Sequence, residues 1–264
     1  MVAMCWAQAG SLEHRYAVAM QRVTDQPEFM DGPLDHDVLA GNLRDLARVN
    51  RWLGGVALSR RALIALATGA HSRPAIGRVD WRTRPLRFLD VGTGAADIPD
   101  ALLTWTAKRG LKLQVEAIDE RHEILDVAFE RVGDPDDLHL EHTDGVRLGY
   151  DDGAFDVAHI SLVLHHLGPP EAVALLREMA RVAKVGVIVN DLDRTRRGWA
   201  GAWLAGHLLT GNRYTRHDAP LSVKRAYRPD ETLAMAAEAG LVEVARANGY
   251  LGHRYALAFV AGSI

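Results

Sequence analysis

The chain has 264 residues, 48% of them hydrophobic and 25% charged, and acidic side chains exceed basic ones by 34 − 31 = 3. These values exclude a disordered chain and the strongly basic balance of a general nucleic-acid binder. The best apolar runs, 63–68 and 182–189, fall far short of the roughly 20 residues that span a bilayer, and the single cysteine, Cys5, excludes an intrachain disulfide and a cysteine zinc cluster. A cytoplasmic protein with no membrane partner is expected.

Residues 1–19 lack a basic start followed by a long apolar stretch, so they do not read as a secretory signal. They are expected to be an extension apart from the working protein. Within 34–53, Leu39, Leu43, Leu46, Val49 and Leu53 fall at helical spacing, and 56–67 continues apolar beyond Gly54-Gly55. An antiparallel helix pair follows, forming with its linker a cap over residues 20–84. The stretch 70–85, rich in proline and scattered charge, reads as that linker.

Beyond it, short apolar runs alternate with helical segments. Strands are expected at 86–91, 113–118, 138–142, 155–163 and 185–190, and helices at 98–109, 122–132 and 171–183. Such alternation implies parallel β-α units with helices on both faces of a sheet. Pro229 opens a last helix that Gly240 ends, and 241–247 and 255–260 read as an antiparallel hairpin closing one edge.

The sharpest local signal is the run from Phe88 to Asp97, an apolar strand entering Gly92-Thr93-Gly94 and then a helix. Gly92 and Gly94 allow a tight turn and close approach of a ligand, and Ala96 is a third small residue. Three acids are expected at or near strand ends, where open α/β sheets bind ligands. Asp90 precedes the glycines and could orient an ammonium or a water. Asp119 ends the second strand and could accept from both ribose hydroxyls. Asp144, with Gly145 beside it, ends the third and could accept from the exocyclic amine of adenine.

Together with the segment 151–157 and Leu-Val-Leu-His-His-Leu at 162–167, these motifs resemble the class I S-adenosylmethionine-dependent methyltransferases, specifically the small-molecule group similar to ubiquinone and menaquinone enzymes. The resemblance covers about 86–260. It implies a Rossmann-like α/β fold, a seven-stranded, mostly parallel sheet with a C-terminal antiparallel hairpin and an N-terminal helical cap. It also implies S-adenosylmethionine as cofactor, with Asp90, Gly92, Thr93, Gly94, Asp119, Asp144, Gly145 and Ser161 around it. Ala96 departs from the family's usual third glycine. A nicotinamide dehydrogenase is the rival for the glycine turn, but that fingerprint wants the missing third glycine. A catalytically inactive protein on the same fold is the other alternative.

Methyl transfer from a sulfonium needs alignment above all, and a base only where the acceptor must lose a proton. His166, with His165 second, is the candidate base after the fourth strand, and Asn190, Asp191 and Asp193 follow the fifth. Asp191 and Asp193 could hold magnesium, but strand-end acids are common without a metal and none is expected. The Asn/Asp-Pro-Pro-aromatic tetrad of base-methylating enzymes is absent at 161–164, which argues against a nucleic-acid substrate. Residues 194–228, mixing tryptophan, leucine and arginine, read as a lid over a small-molecule acceptor. The segments 27–31, 48–55 and 222–229 resemble bacterial methyltransferases of secondary metabolism, including those of polyketide phenols. Homodimerisation is left open.

Overall fold

The computed structural model describes residues 20–69, 79–143 and 147–262. The expected extension at 1–19, most of the linker, and Asp144 and Gly145 lie outside the described residues.

Two helices precede the sheet, α1 (His36–Trp52) and α2 (Gly55–Thr68). Asp35 starts α1 by accepting the Val38 N–H at 3.1 Å. Gly54, at φ +95°, breaks the chain between the two helices, and Gly69, at φ +61°, ends the second. The sheet strands are β1 (Leu86–Val91), β2 (Leu113–Asp119), β3 (Leu138–His142), β4 (Phe155–Ser161), β5 (Ala183–Leu192), β6 (Leu241–Asn248) and β7 (Arg254–Ala261). The intervening helices are α3 (Asp97–Ala107), α4 (His122–Val132), α5 (Pro169–Val182), α6 (Arg196–Leu208), α7 (Arg213–Arg225) and α8 (Pro229–Glu238).

The strand order is β3-β2-β1-β4-β5-β7-β6, parallel except for β7, which runs antiparallel to both β5 and β6. The seven-stranded, mostly parallel sheet with its antiparallel end is therefore present. One apolar layer sets Leu175, Leu176 and Met179 of α5 and Met235 and Ala236 of α8 against one face. The other sets Leu58, Leu63 and Leu66 of α2 with Ile98 and Leu102 of α3. Helix α2 thus covers the sheet itself, and only α1 rides beyond it as a cap.

Three local features differ from the sequence reading. β4 stops at Ser161 because Leu162 turns at φ +59°, donating its N–H to the Asn190 carbonyl at 3.0 Å. The 194–228 insertion is two helices, and α7 is tied to α1 by Asn42–Thr215 at 3.1 Å and Asp45–Thr215 at 2.9 Å. The link between β6 and β7 holds a helical turn, Tyr250–Gly252, rather than a tight hairpin turn. Among the described residues, no helix is long and apolar enough to cross a membrane.

Candidate active site

The glycine turn sits at the C-terminal end of β1, flanked on either side by β2 and β4. Gly92 and Gly94 take φ of +67° and +57°, and Ala96 shares the left-handed conformation at +52°. A Cβ on Gly92 would come within 2.4 Å of Val163, whereas one on Gly94 would meet only Leu43, at 3.8 Å. Gly92 therefore lets the segment after β4 pack against the turn, and Gly94 leaves space above it beneath α1.

Asp119 closes β2 with its side chain turned back to this loop. One oxygen accepts the Gly94 N–H at 3.1 Å and the other the Arg121 N–H at 3.2 Å. Each oxygen keeps a further lone pair, which suits a diol such as the two ribose hydroxyls. Burial pushes the carboxyl up to about 6, against the opposing effect of those two backbone donors.

Asp90 and Thr93 are turned inward. Asp90 accepts from the Thr93 hydroxyl at 2.7 Å and pairs with His159 Nδ1 at 2.5 Å, while His159 Nε2 meets the Ser59 hydroxyl at 2.7 Å. The Ser59–His159–Asp90 chain has nucleophilic-triad spacing, but Ser59 and His159 have no solvent exposure. It braces the strand end from within, where no substrate can reach it. Asp90, expected to orient an ammonium or a water, is 3% exposed, with one of these contacts on each of its oxygens.

Ser161 joins a second buried network. Arg254, 2% exposed, donates to Asn190 Oδ1 at 2.6 Å, Asn50 Oδ1 at 2.7 Å and Ser161 Oγ at 2.8 Å. Asn50 passes the chain on to Asp97 at 3.0 Å, and Asn190 donates to Ser59 at 2.7 Å. Asn190, a candidate base on sequence, is wholly spent here. Burial lowers the Arg254 guanidinium to about 10.

After Leu162 and Val163 comes the 3-10 turn Leu164–His166. His165 is buried and its Nδ1 faces Asp191 Oδ1 at 2.8 Å. Burial works against the Asp191 carboxylate, but His165 outweighs it and holds the group below its usual range. His166 is partly exposed, and its Nδ1 faces Asp31 Oδ1 at 2.9 Å. Asp31 belongs to a strap running before α1, and is itself paired with Arg225 at 2.6 Å. Here too burial opposes ionisation, yet His166 and Arg225 keep the Asp31 carboxyl low.

Glu28, on the same strap, faces both histidines, and burial raises its carboxyl to about 7. The strap also reaches β2, where Arg121 donates to the Met30 and Gly32 carbonyls at 3.1 and 2.9 Å. It thereby links the segment after Asp119 to the histidine turn. An open cavity of about 720 Å³ lies alongside, lined by Glu28, Phe29, Asp31, Arg213, Tyr214 and His217 among others. Glu28, Asp31 and Arg254 were not singled out by sequence reasoning. The 27–31 segment was a signal for the first two, while nothing local marks Arg254.

Residues 88–186 match the family model described as "Methyltransferase domain". The chain is 29% identical over 122 residues to a demethylmenaquinone methyltransferase of Staphylococcus epidermidis, a match covering 44% of this chain and 50% of that one. The chain thus spans about half the length of the curated relatives it matches. Its fold resembles a SAM-dependent methyltransferase from Aquifex aeolicus, with TM-score 0.55 and 17% identity over 86% of this chain and 98% of that one. It also resembles a magnesium protoporphyrin IX methyltransferase from Synechocystis bound to S-adenosylhomocysteine (SAH), with TM-score 0.51 and 16% identity over 91% and 90% of the two chains. Residues 88–186 thus match a methyltransferase domain, and the strand order and glycine turn around them share the fold of the SAM-dependent methyltransferases that the chain resembles.

Proposed function

We propose that this chain transfers a methyl group from S-adenosylmethionine to a small molecule, with an oxygen of a phenolic, polyketide or quinone-like acceptor as the nucleophile. The observation that carries the reading is the Asp119 carboxylate, held by the Gly94 and Arg121 N–H groups with acceptor capacity to spare beside an open glycine turn. The cofactor, when bound, supplies an electrophilic methyl group. The residues present fit it: Asp119 for the ribose, the backbone of 92–94 against the methionine portion, and the Ser161–Leu162 backbone near its amine.

The chain's own task is then to align the acceptor oxygen with that methyl and keep water away. The cavity beside the strap suits a partly apolar, planar acceptor, since Phe29 stacks on His217 at 3.8 Å and Tyr214 lines the same wall. His166, oriented by Asp31 and with His165 behind it, is placed to take the acceptor's proton, a contribution of roughly 10²–10⁴ in rate. The names of the Staphylococcus relatives, acting on a demethylated quinone, support an acceptor of this class.

The test is single-turnover transfer of labelled methyl into phenol and hydroquinone acceptors by wild type, His165→Ala and His166→Ala, with cofactor affinity measured alongside. Transfer to oxygen, slowed at least a hundredfold in one histidine variant at unchanged affinity, is expected. Tight cofactor binding without turnover on any acceptor would favour an inactive binding protein on the same fold.

A further inference from the structure

Glu28, His165 and His166 bring three metal-ligand atoms within 4.8 Å of one another. His165 Nε2 lies 3.8 Å from Glu28 Oε1, and His166 Nε2 lies 3.9 Å from Glu28 Oε2. His165 is 2% exposed and Glu28 5%. Among the described residues, neither His165 Nε2 nor Glu28 Oε1 has a hydrogen-bond partner.

The surrounding contacts decide where the protons are. An ionised carboxylate only accepts, so the Nδ1 atoms facing Asp191 and Asp31 carry the ring N–H groups. Each Nε2 atom lies toward Glu28 and, in the neutral ring, would offer its lone pair to an ion. Ser222 donates to Glu28 Oε2 at 2.9 Å, and Arg225 Nε stops 3.8 Å from Oε1, beyond hydrogen-bond reach. Glu28 Oε1 and His165 Nε2 are thus buried polar atoms left without a partner among the described residues, with His166 Nε2 beside them, and a bound cation would satisfy all three.

We propose that Glu28, His165 and His166 bind one divalent transition-metal ion, through the Glu28 carboxylate and both Nε2 atoms. Two imidazoles and one carboxylate favour zinc-like ions over magnesium or calcium, which take oxygen ligands. Asp191 and Asp31 are the outer carboxylates that fix the tautomer and aim of metal-binding histidines. With bonds of about 2.0–2.2 Å, tetrahedral ligands stand about 3.3–3.5 Å apart, so the Glu28–histidine spacings of 3.8 and 3.9 Å need close by only about half an ångström. Three protein ligands leave a position open to water or to a substrate oxygen. A phenol or enol oxygen there would be held as its anion, the ion taking over the task of the histidines that ligate it. That role rests on the proposed methyl transfer, whereas binding of the ion does not.

The test strips the full chain with chelator and titrates Zn²⁺ by calorimetry and Co²⁺ by visible absorption. Wild type should take up one ion per chain with the intense ligand-field bands of four- or five-coordinate cobalt. His166→Ala, at a partly exposed position, should weaken Zn²⁺ binding at least a hundredfold, and Asp31→Asn about 10–100-fold. Cofactor affinity and melting temperature of the metal-free proteins confirm that the variants fold, and Glu28→Gln gives a second ligand deletion. Equal Zn²⁺ uptake by wild type and His166→Ala, or no wild-type binding tighter than millimolar, overturns the site and leaves the cluster sharing a proton. Failure to bind S-adenosylmethionine would instead sink the methyl-transfer reading and leave the metal result standing.

Discussion

Asp119→Asn should make the protein more stable and less able to bind its cofactor. The folded carboxyl sits at about 6, against 3.8 for an unperturbed group. Each unit is worth about 1.4 kcal/mol, so keeping it ionised at pH 8 costs about 3 kcal/mol as an order of magnitude. Asparagine removes that cost and keeps an acceptor for the Gly94 N–H, but turns an amide NH₂ toward the Arg121 N–H and returns about 1 kcal/mol. The expected gain at pH 8 is about 2 kcal/mol. Between pH 3.8 and about 6 the folded wild type holds a proton that the unfolded chain releases. Wild-type stability from this group is therefore full below pH 3.8 and lost as the pH rises through 6, so the variant's advantage vanishes by about pH 4. Cofactor affinity should fall tenfold or more in the variant, because hydrogen bonds to a charged acceptor contribute about 1.5–3 kcal/mol each. Urea unfolding at pH 5, 6.5 and 8 with calorimetric titration of S-adenosylmethionine measures both effects. A stability difference that does not change with pH, or a variant less stable at pH 8, would refute the assignment of strain to this carboxylate.

Wild-type affinity for S-adenosylmethionine should itself hold steady above pH 6 and decline below it, since the protonated carboxyl loses an acceptor; a flat profile from pH 5 to 8 would count against Asp119 as the ribose ligand. Gly92→Ala should cost more than Gly94→Ala in melting temperature, because both pay about 1–2 kcal/mol for a left-handed alanine but only the former also drives into Val163 at 2.4 Å. The reverse order would mean that the turn is not packed as described. Arg254→Met should lose about 3 kcal/mol or more in denaturant unfolding, as acceptors on Asn190, Asn50 and Ser161 are left buried without donors. A loss under about 1 kcal/mol would show that relief of the arginine's own desolvation compensates.

The sheet was legible because its strands and helices alternate with clean changes of apolar period, and Gly54 and Gly240 mark ends that the backbone confirms. The end of β4 was not, since Leu-Val-Leu reads as continued strand and the positive φ at Leu162 is imposed by the neighbouring Asn190 carbonyl. Asp119 was readable from its place at a strand end. The histidines stood out as a pair after the fourth strand, but their surroundings were hidden. Asp31 reaches His166 across 135 positions and Arg225 across 194. No local pattern encodes such pairings. Asn190 and Asp191 looked alike as strand-end polar residues, yet one is consumed by Arg254 and the other by His165.

The place of β7 between β5 and β6 bears on how the molecule comes into being on the ribosome. Until Arg254–Ala261 has been made, β5 presents an unpaired edge and β6 has no neighbour to join. Arg254 arrives with that same strand, carrying the donors that satisfy Asn50, Asn190 and Ser161. A nascent chain can therefore assemble the β1–β5 frame and its glycine turn while Ser161, at the end of β4, is still unbraced. Ligand competence should appear late and all at once, and stalled chains ending before residue 254 would expose a sticky sheet edge to their neighbours.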